Sequence, residues 1–371
     1  MAETEHALSE TRIRRIGGEV RAVCPSFDAE AFASEVLADL PRLKLKERIA
    51  RTSQALATHL PATGLQAVEI LLRSLPASPE EAGADSDFGL YIYAPHSDYV
   101  ARHCRTREDL EPALDALRRM TAYFSAEDAM RYFLRDFPDA TLKVIESWTE
   151  DPDHRVRRLA SECTRPRLPW SIKVPLAVDA GLPLLDRLCD DTSRFVRQSV
   201  ANHLHDIAEE DLGLVLDTLG RWKTAGRLKD REFDFVAREA LRTRLKAGDD
   251  AAYEFLGYPS NPPVEVSPIR LERTQVAIGD SLVFSADLTA VASAKLRVNY
   301  VISSPTKTNK RREKVYVLKT TAVQTGQTTT LSKQHSLRST ATVPLVPGSY
   351  TLKLQVNGRG FGETEFQVLA G

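Results

Sequence analysis

The sequence predicts a mainly α-helical chain, in which an α-solenoid is followed by a small all-β sandwich. Before residue 258, Ala and Leu are frequent and apolar residues recur at helical spacing. A forty-residue repeat runs through the middle of this part. After residue 264, short stretches alternate apolar and polar residues between Gly, Pro and Ser, as antiparallel strands do. We therefore expect two domains, 1–258 and 264–371, joined at a proline-rich YPSNPP segment.

Composition restricts the class of protein. The chain has 371 residues, of which 42% are hydrophobic and 27% charged, enough for two globular domains. Its cysteines are far apart and form no CxxC pair, which argues against a disulfide framework and a zinc knuckle: Cys24, Cys104, Cys163 and Cys189. The polar N-terminal stretch and the lack of any run of about eighteen apolar residues predict neither a signal peptide nor a membrane span. We expect a cytoplasmic protein that needs no cofactor or metal.

The repeat identifies the type of solenoid. Val156, Val196 and Val236 are each forty residues apart, and Arg157 and Arg197 keep the same register. An Asp before a helix whose first turns carry Val-Arg, at this period, is typical of HEAT-type helix pairs. Six further helical patterns precede the repeat, so we expect a curved array of roughly six pairs that binds on its concave face; the patterns lie at 27–40, 44–58, 63–74, 110–120, 126–136 and 141–149.

The C-terminal part has the size and strand rhythm of an immunoglobulin-like sandwich, without the Cys…Trp…Cys core of antibody domains. Its strand-like stretches include LVFSADL, KLRVNYVI, EKVYVLKTT and GSYTLKLQV. A small β-barrel is the alternative. Charge also separates the two parts, because residues 1–258 carry a net charge of −8 and residues 259–371 a net charge of +7. The basic part is suited to a polyanion.

One segment, Trp148 to Trp170, concentrates charged and aromatic side chains. Asp151 or Asp153 can cap the helix that follows, and the apolar stripe of that helix comprises Val156, Leu159, Ala160 and Cys163. The opposite face carries His154, Arg158 and Glu162. Two prolines then stiffen the connection that holds Arg165, Arg167 and Trp170. An ordinary repeat offers another interpretation, in which Arg158 and Glu162 form a solvated pair and the tryptophans fill space between helices.

The stretch HRVRRLASECTRPRLPW, at His154 to Trp170, resembles the signature of the AlkC branch of the HEAT-repeat DNA alkylation-repair glycosylases. The stretches SRFVRQSVANHLHDIAEED and FDAEAF…LKERIARTSQAL resemble the same family, so that the similarity covers about residues 10–258, more loosely before residue 120. The basic immunoglobulin-like part is similar to a domain that some members carry. The resemblance implies base excision repair: hydrolysis of the N-glycosidic bond of cationic alkylated bases in double-stranded DNA. N3-methyladenine is the main expected substrate, with N3-methylcytosine and N1-methyladenine as further ones, and the lesion stays in the base stack.

This reaction needs a carboxylate. A cationic base leaves without protonation, whereas the sugar becomes oxocarbenium-like and requires negative charge and a directed water. Glu162 is the first candidate, and Glu127, in the preceding helical pair, is the second. Acids at the start of a helix also favour the helix dipole, which is the structural explanation for Glu127.

The remaining candidates bind substrate or DNA. Trp170 and Trp148 are expected to pack against the lesion or its deoxyribose, and Arg158 to hold Glu162. Contacts to the DNA backbone are expected from Arg165, Arg167, Arg197, Asn202 and a basic hairpin that contains Lys310, Arg311 and Arg312. His203 and His205 point apart on a helix and predict no metal site.

Two hypotheses remain. The first is a monofunctional DNA glycosylase, expected to act as a monomer, and the second is a non-catalytic HEAT-repeat scaffold that binds DNA or a protein partner. An acyl-transfer hydrolase is excluded because the chain has no GxSxG or Cys/His arrangement.

Overall fold

A computed structural model describes residues 7–83, 86–308, 310–340 and 344–370. The ends of the two expected domains, residues 1–6 and Gly371, and Asn309 of the basic hairpin lie outside the described residues. The chain divides between Ala240 and Leu241 into two compact units. The change from helices to strands occurs near residue 258, as predicted. The second unit nevertheless begins earlier, because the last helices before this point are hydrogen-bonded to the strands that follow. Tyr253 Oη accepts a hydrogen bond from Asn299 Nδ2 at 3.2 Å.

The first unit is helical, in agreement with the predicted solenoid. The predicted helical patterns lie within three residues of helices in the structure, whereas the helices Glu10–Val23, Pro79–Ala82 and Ala94–His103 were not anticipated. Its helices are α1 (Glu10–Val23), α2 (Ala29–Asp39), α3 (Leu45–His59), α4 (Gly64–Ser74), α5 (Pro79–Ala82), α6 (Ala94–His103), α7 (Leu110–Met120), α8 (Glu127–Asp136), α9 (Pro138–Ser147), α10 (His154–Glu162), α11 (Leu182–Leu188), α12 (Arg194–Ala208), α13 (Leu212–Thr224) and α14 (Asp230–Ala240). Among all residues that the structure describes, no helix is both long enough and apolar enough to cross a bilayer.

The forty-residue repeat is built into α10, α12 and α14, which pack in succession. The repeated valines are all buried. Asp151 and Asp191 each accept a hydrogen bond from the backbone N–H two residues later, at 2.8 and 2.7 Å, and so shape the turn that precedes each helix. Arg157 also binds Asp191 of the next repeat, with Nη2 to Oδ1 at 3.0 Å. The repeated Asp and Arg positions therefore join successive repeats.

The second unit begins with α15 (Arg242–Ala247) and α16 (Asp250–Phe255) and continues as two sheets. Its strands are β1 (Val264–Val266), β2 (Arg270–Leu271), β3 (Gln275–Ala277), β4 (Ser281–Ala290), β5 (Ala294–Pro305), β6 (Arg311–Val323), β7 (Thr328–Ser336), β8 (Gly348–Val356) and β9 (Arg359–Leu369). In one sheet, β4 pairs with β7 along one edge and with β1 and β2 along the other. The second sheet has the order β3-β9-β8-β5-β6, in which only β3 and β9 are parallel.

The core of the second unit lies between the two sheets. Phe284 of β4 packs in one cluster with Tyr300 of β5, Leu352 of β8 and Phe366 of β9. Alternate residues of β4 are buried, as expected for a strand with one face toward a core. This arrangement confirms the predicted immunoglobulin-like sandwich and not the alternative β-barrel. The free edges of the two sheets include β6 and β7.

Candidate active site

The helix α10 carries the centre of the candidate site. Asp153 caps it, since its carboxylate accepts a hydrogen bond from Arg155 N at 2.8 Å. Beyond the first turn, the helix is buried on its polar face as well as its apolar one. Only 4% of Arg158 and 2% of Glu162 is exposed. The alternative interpretation, in which Arg158 and Glu162 form a solvated pair, is therefore wrong, because α12 packs against α10 and covers these side chains.

Arg158 joins the two candidate carboxylates. Its Nη1 lies 3.0 Å from Glu127 Oε2, and its Nη2 lies 3.4 Å from Glu162 Oε2. Nη1 also donates to Ser125 Oγ at 2.6 Å, and Ser125 Oγ donates in turn to Glu127 Oε2. Glu127 is the first residue of α8, where a negative charge also stabilises the helix through its dipole. The structure thus brings Glu127, Arg158 and Glu162 into one buried network.

Glu162 is held by further donors. Its Oε1 accepts a hydrogen bond from Arg165 Nη1 at 2.6 Å, and its Oε2 accepts one from Ser199 Oγ at 2.7 Å. Burial alone would raise the pKa of Glu162, but the charges of Arg158 and Arg165 and the hydrogen bond from Ser199 hold that pKa below its ordinary value. The site therefore contains an ionised carboxylate at neutral pH.

Arg165 occupies a different position from the one expected. It is buried, and its Nε and Nη2 donate to Asp206 at 2.8 and 3.1 Å while Nη1 binds Glu162. Burial by itself would lower the pKa of Arg165, but the carboxylates of Asp206 and Glu162 raise it. This placement does not support the expected phosphate contact, because the guanidinium is committed to two buried carboxylates. Arg165 instead fixes Glu162.

Arg131 of α8 is a further residue of the site that no sequence pattern indicated. Its side chain is almost fully buried and binds three backbone carbonyls of the connection after α10. Nη1 donates to Cys163 O at 3.2 Å and to Arg165 O at 2.7 Å, and Nε donates to Ile172 O at 2.6 Å. Arg131 therefore holds the connection that the sequence indicated as stiffened by prolines. No local pattern reveals such a role, since its partners are carbonyl groups more than thirty residues away.

Two aromatic rings that the sequence did not indicate flank Arg158. The guanidinium carbon lies 5.1 Å from the ring centroid of Phe88 and 4.9 Å from that of Phe195. The two rings meet edge to face at 4.9 Å. Phe88 is 53% exposed, so that an apolar ring lies at the surface directly beside the buried charges.

A glycine fixes the position of Phe88. Gly89 has φ +74°, and a Cβ at this residue would lie 1.9 Å from Tyr123 O. The backbone is pinned there because Leu90 N donates to Tyr123 O at 2.8 Å. Only glycine combines this φ with such a close approach.

The two tryptophans of the motif differ in exposure. Trp148 is buried, which corrects the expectation that it contacts the lesion, because its ring fills space between helices. Trp170 is 49% exposed, on the connection that Arg131 holds. Of the two, Trp170 has a surface position from which it can reach a ligand.

The other expected DNA contacts on the helical unit are partly structural. Arg167 is exposed and lies 3.5 Å from Glu210. Arg197 is largely buried, since Nη1 donates to Asp191 O and Nη2 lies 3.5 Å from Glu232. Its position repeats that of Arg157, so the period of the sequence explains Arg197 without DNA. Asn202 is half-buried, and its Oδ1 accepts a hydrogen bond from Gln198 at 3.4 Å.

The histidines on α12 form no metal site. Among the described residues, no group of His, Cys, Asp and Glu side chains is arranged to hold a metal ion. His203 is fully buried, its Nδ1 lies 3.0 Å from Ser161 O, and burial lowers its pKa to about 4. A Cβ at Gly181 would lie 2.3 Å from the ring of His203, so this glycine is needed for packing.

The three expected cations of the basic hairpin do not share one surface. Lys310 is exposed. Arg311 Nε donates to Ser303 Oγ at 2.9 Å and its Nη2 donates to Thr351 Oγ1 at 3.1 Å, whereas Arg312 is half-buried and lines a cavity. Adjacent residues of a strand point to opposite faces, which explains the separation of Arg311 from Arg312.

Comparisons with known proteins cover the whole chain. Residues 265–370 match a family model described as "Uncharacterised protein YhaZ, C-terminal Ig-like domain". The chain is 30% identical over 372 residues to the uncharacterized protein YhaZ of Bacillus subtilis (strain 168), covering 99% of this chain and 100% of that protein. A solved structure of Pseudomonas fluorescens alkylpurine DNA glycosylase AlkC, bound to DNA containing an abasic site analog, is similar with a TM-score of 0.88 and 31% identity over 98% of both chains.

Proposed function

The chain belongs to the family of YhaZ and AlkC, the AlkC branch of the HEAT-repeat DNA alkylation-repair glycosylases, and from this premise we propose that it is a DNA glycosylase. Its reaction is hydrolysis of the N-glycosidic bond of alkylated bases in double-stranded DNA. We propose cationic bases as its substrates: N3-methyladenine, and also N3-methylcytosine and N1-methyladenine. The protein acts in the cytoplasm as a monomer in base excision repair and uses no cofactor.

The observation that carries the proposal is the guanidinium of Arg158 between two carboxylates, next to an exposed aromatic ring. A scaffold that binds phosphates gains nothing from carboxylates beside its binding surface, since they repel the DNA backbone. A glycosylase needs them, because positive charge develops on the sugar as the bond to the base breaks.

The two carboxylates differ in accessibility, which suggests different roles. The Glu127 side chain is 11% exposed and the Glu162 side chain 3%. Arg158 and Ser125 bind the same oxygen of Glu127, Oε2, which leaves Oε1 for a water molecule. We propose that Glu127 directs this water at C1′ and that Glu162 supplies the negative charge that stabilises the oxocarbenium and keeps Arg158 in place.

The substrate-facing groups are aromatic. Phe88 and Trp170 are exposed, and the faces of such rings favour a positively charged base. We propose that these side chains contact the lesion or its deoxyribose. Arg167 is an exposed cation of the same connection and is a candidate for a flanking phosphate.

We propose that the lesion is processed in the base stack and not flipped into a pocket. Two cavities of the helical unit have volumes of about 600 and 230 Å³. The first lies beside α3 and the end of α6, the second lies between α4 and α7, and neither is lined by the two carboxylates or Arg158. A base that already carries a positive charge needs little from a pocket to become a leaving group.

The direct test is incubation of the purified protein with N-methylated duplex DNA, followed by chromatography of the released bases. We expect free methylated base to appear together with abasic sites. Glu127→Gln and Glu162→Gln should release less base than wild type. Glu146→Gln is the control for these two variants, because Glu146 is an exposed acid of the same unit that pairs with Arg187 at 2.5 Å. Tight binding of the methylated duplex by wild type with no base released would support the non-catalytic scaffold instead.

A further inference from the structure

A cavity of about 320 Å³ opens in the sandwich where the edge strands β6 and β7 face each other. Its lining includes Arg312, Lys314 and Tyr316 of β6, His335 of β7, and Arg338, which follows β7. The volume lies at the lower end of the range of small-molecule sites, about 300–1,000 Å³. All of its lining residues belong to the second unit, whereas the residues of the network around Arg158 belong to the first.

Positive charge in this cavity is not neutralised. Among the residues that the structure describes, Arg312, Lys314 and Arg338 form no ion pair, and no Asp or Glu lines the cavity. Other arginines of the same unit are paired: Arg270 Nη1 lies 2.9 Å from Asp287, and Arg359 Nη2 lies 2.6 Å from Asp250. Three cations around one concave surface attract an anion more strongly than the same charges on a flat surface.

The strand period explains why these side chains converge. Arg312, Lys314 and Tyr316 occupy alternate positions of β6 and therefore project from the same face. Tyr316 stacks on Tyr300 with ring centroids 5.0 Å apart and an interplanar angle of 14°. The aromatic wall beside the cations is consequently fixed before any ligand arrives.

His335 completes this wall as a neutral group. Its Nδ1 lies 3.0 Å from Tyr300 Oη, and its ring meets Tyr316 at 4.8 Å. Burial, together with the charges of Lys333 and Lys314, lowers the pKa of His335. At neutral pH the positive charge of the cavity therefore comes from the two arginines and the lysine.

A simpler explanation is that inward-pointing charges on edge strands prevent pairing with another chain. That explanation accounts for Lys314 or Arg312 alone. It does not account for Arg338, because β7 ends at Ser336 and Arg338 therefore lies outside the edge strand. It also does not explain why cations from two parts of the chain surround one cavity.

We propose that this cavity, which we call the β6–β7 cleft, binds a phosphate group, either of a DNA strand or of a free mononucleotide. The guanidiniums of Arg312 and Arg338 supply planar donors that match phosphate oxygens, and Lys314 supplies a point charge. The inference deepens the proposed DNA binding and rests on it only if DNA is the source of the phosphate.

The test uses the full chain and the double variant Lys314→Gln/Arg338→Gln. Its matched control is Lys319→Gln/Arg273→Gln, which removes one lysine and one arginine that are exposed and outside the cleft. Calorimetric titrations with inorganic phosphate and with thymidine 5′-monophosphate measure phosphate binding, and fluorescence anisotropy against salt concentration measures duplex DNA binding.

We expect wild type and the control to bind at least one of these phosphate probes at a single site, and the cleft variant to lose that binding. If DNA supplies the phosphate, the slope of log affinity against log salt concentration falls by about 2 in the cleft variant relative to the control, about 1 for each cation removed. Loss of mononucleotide binding with an unchanged DNA slope assigns the cleft to the free nucleotide.

Equal behaviour of the cleft variant and its control toward phosphate, mononucleotide and DNA overturns the proposal. Base release from methylated DNA is measured separately. If the protein releases base but the cleft binds no phosphate, only this inference is refuted. If the cleft binds phosphate but the protein releases no base, only the proposed function is refuted.

Discussion

The guanidinium of Arg158 lies 3.0 Å from the carboxylate of Glu127, although 31 residues separate the two in the sequence. The same guanidinium lies 3.4 Å from Glu162, one turn away on its own helix. One buried cation therefore positions both proposed catalytic carboxylates. Any change at Arg158 acts on both of them.

We expect Arg158→Gln to abolish base release and to lower the free energy of unfolding by about 3–5 kcal/mol, because it leaves buried carboxylates without their shared cation. Urea unfolding measures the loss. The control is Arg167→Gln at an exposed position, where a change within about 0.5 kcal/mol is expected. A variant as stable as this control would show that Arg158 does not hold the network together.

The exposed rings provide a test of lesion recognition. We expect Phe88→Ala and Trp170→Ala each to lower kcat/KM on N3-methyladenine DNA by about 2- to 30-fold, the range that a cation–π contact of about 0.5–2 kcal/mol gives. Affinity for the same duplex without the lesion should stay unchanged, because the rings are expected to contact the damaged nucleotide. Equal losses on damaged and undamaged DNA would instead place these rings in general DNA binding.

The basic hairpin predicts a salt-dependent contribution to DNA binding. We expect Lys310→Ala/Arg311→Ala/Arg312→Ala to weaken binding and to flatten its dependence on salt, since cations that neutralise phosphates release counterions. Arg311→Ala alone serves as a comparison, because Arg311 also bonds to Ser303 and Thr351 within the sandwich. Unchanged affinity of the triple variant at low salt would contradict a role for the hairpin.

Acid sensitivity should arise from buried histidines. Burial lowers the pKa of His96 and of His203 to about 4. The unfolded chain therefore takes up protons first, so that the stability from each neutral ring is complete above about pH 6.5 and is lost as the pH falls toward about 4. Each ring is expected to account for about 2 kcal/mol of the stability lost between about pH 7 and pH 5.

His96→Leu tests this linkage, because both ring nitrogens of His96 are buried without a hydrogen-bond partner among the described residues. Unfolding by urea at the two pH values should show a smaller difference in His96→Leu than in wild type. A pH dependence identical to that of wild type would mean that His96 is not the group that takes up the proton.

The sequence predicted the fold because its strongest signals are periodic. The recurring Val156, Val196 and Val236 are buried at equivalent points, and the strand alternation of β4 matches its burial. It also predicted that Glu127 and Glu162 share a site, which followed from the family resemblance more than from spacing. Periodicity describes faces of helices and strands and says little about what covers each face.

What the sequence could not predict follows from that limit. The sequence predicts Arg165 as a surface cation beside prolines, yet its guanidinium is buried in an ion pair with Asp206, 41 residues later. Phe88 lies in an irregular segment, and its place above Arg158 depends on a backbone approach that only Gly89 permits. Such contacts between distant segments leave no local pattern.

Single-turnover release of N3-methyladenine from duplex DNA tests the central claim most directly, with wild type compared with Glu127→Gln and Glu162→Gln. We expect wild type to release the base and each variant to release it at least about 100-fold more slowly, because neutral amides cannot stabilise the developing positive charge. Binding to DNA with an abasic site should change little in Glu127→Gln. No base release by wild type, or release by both variants at the wild-type rate, would contradict the claim that these carboxylates catalyse hydrolysis.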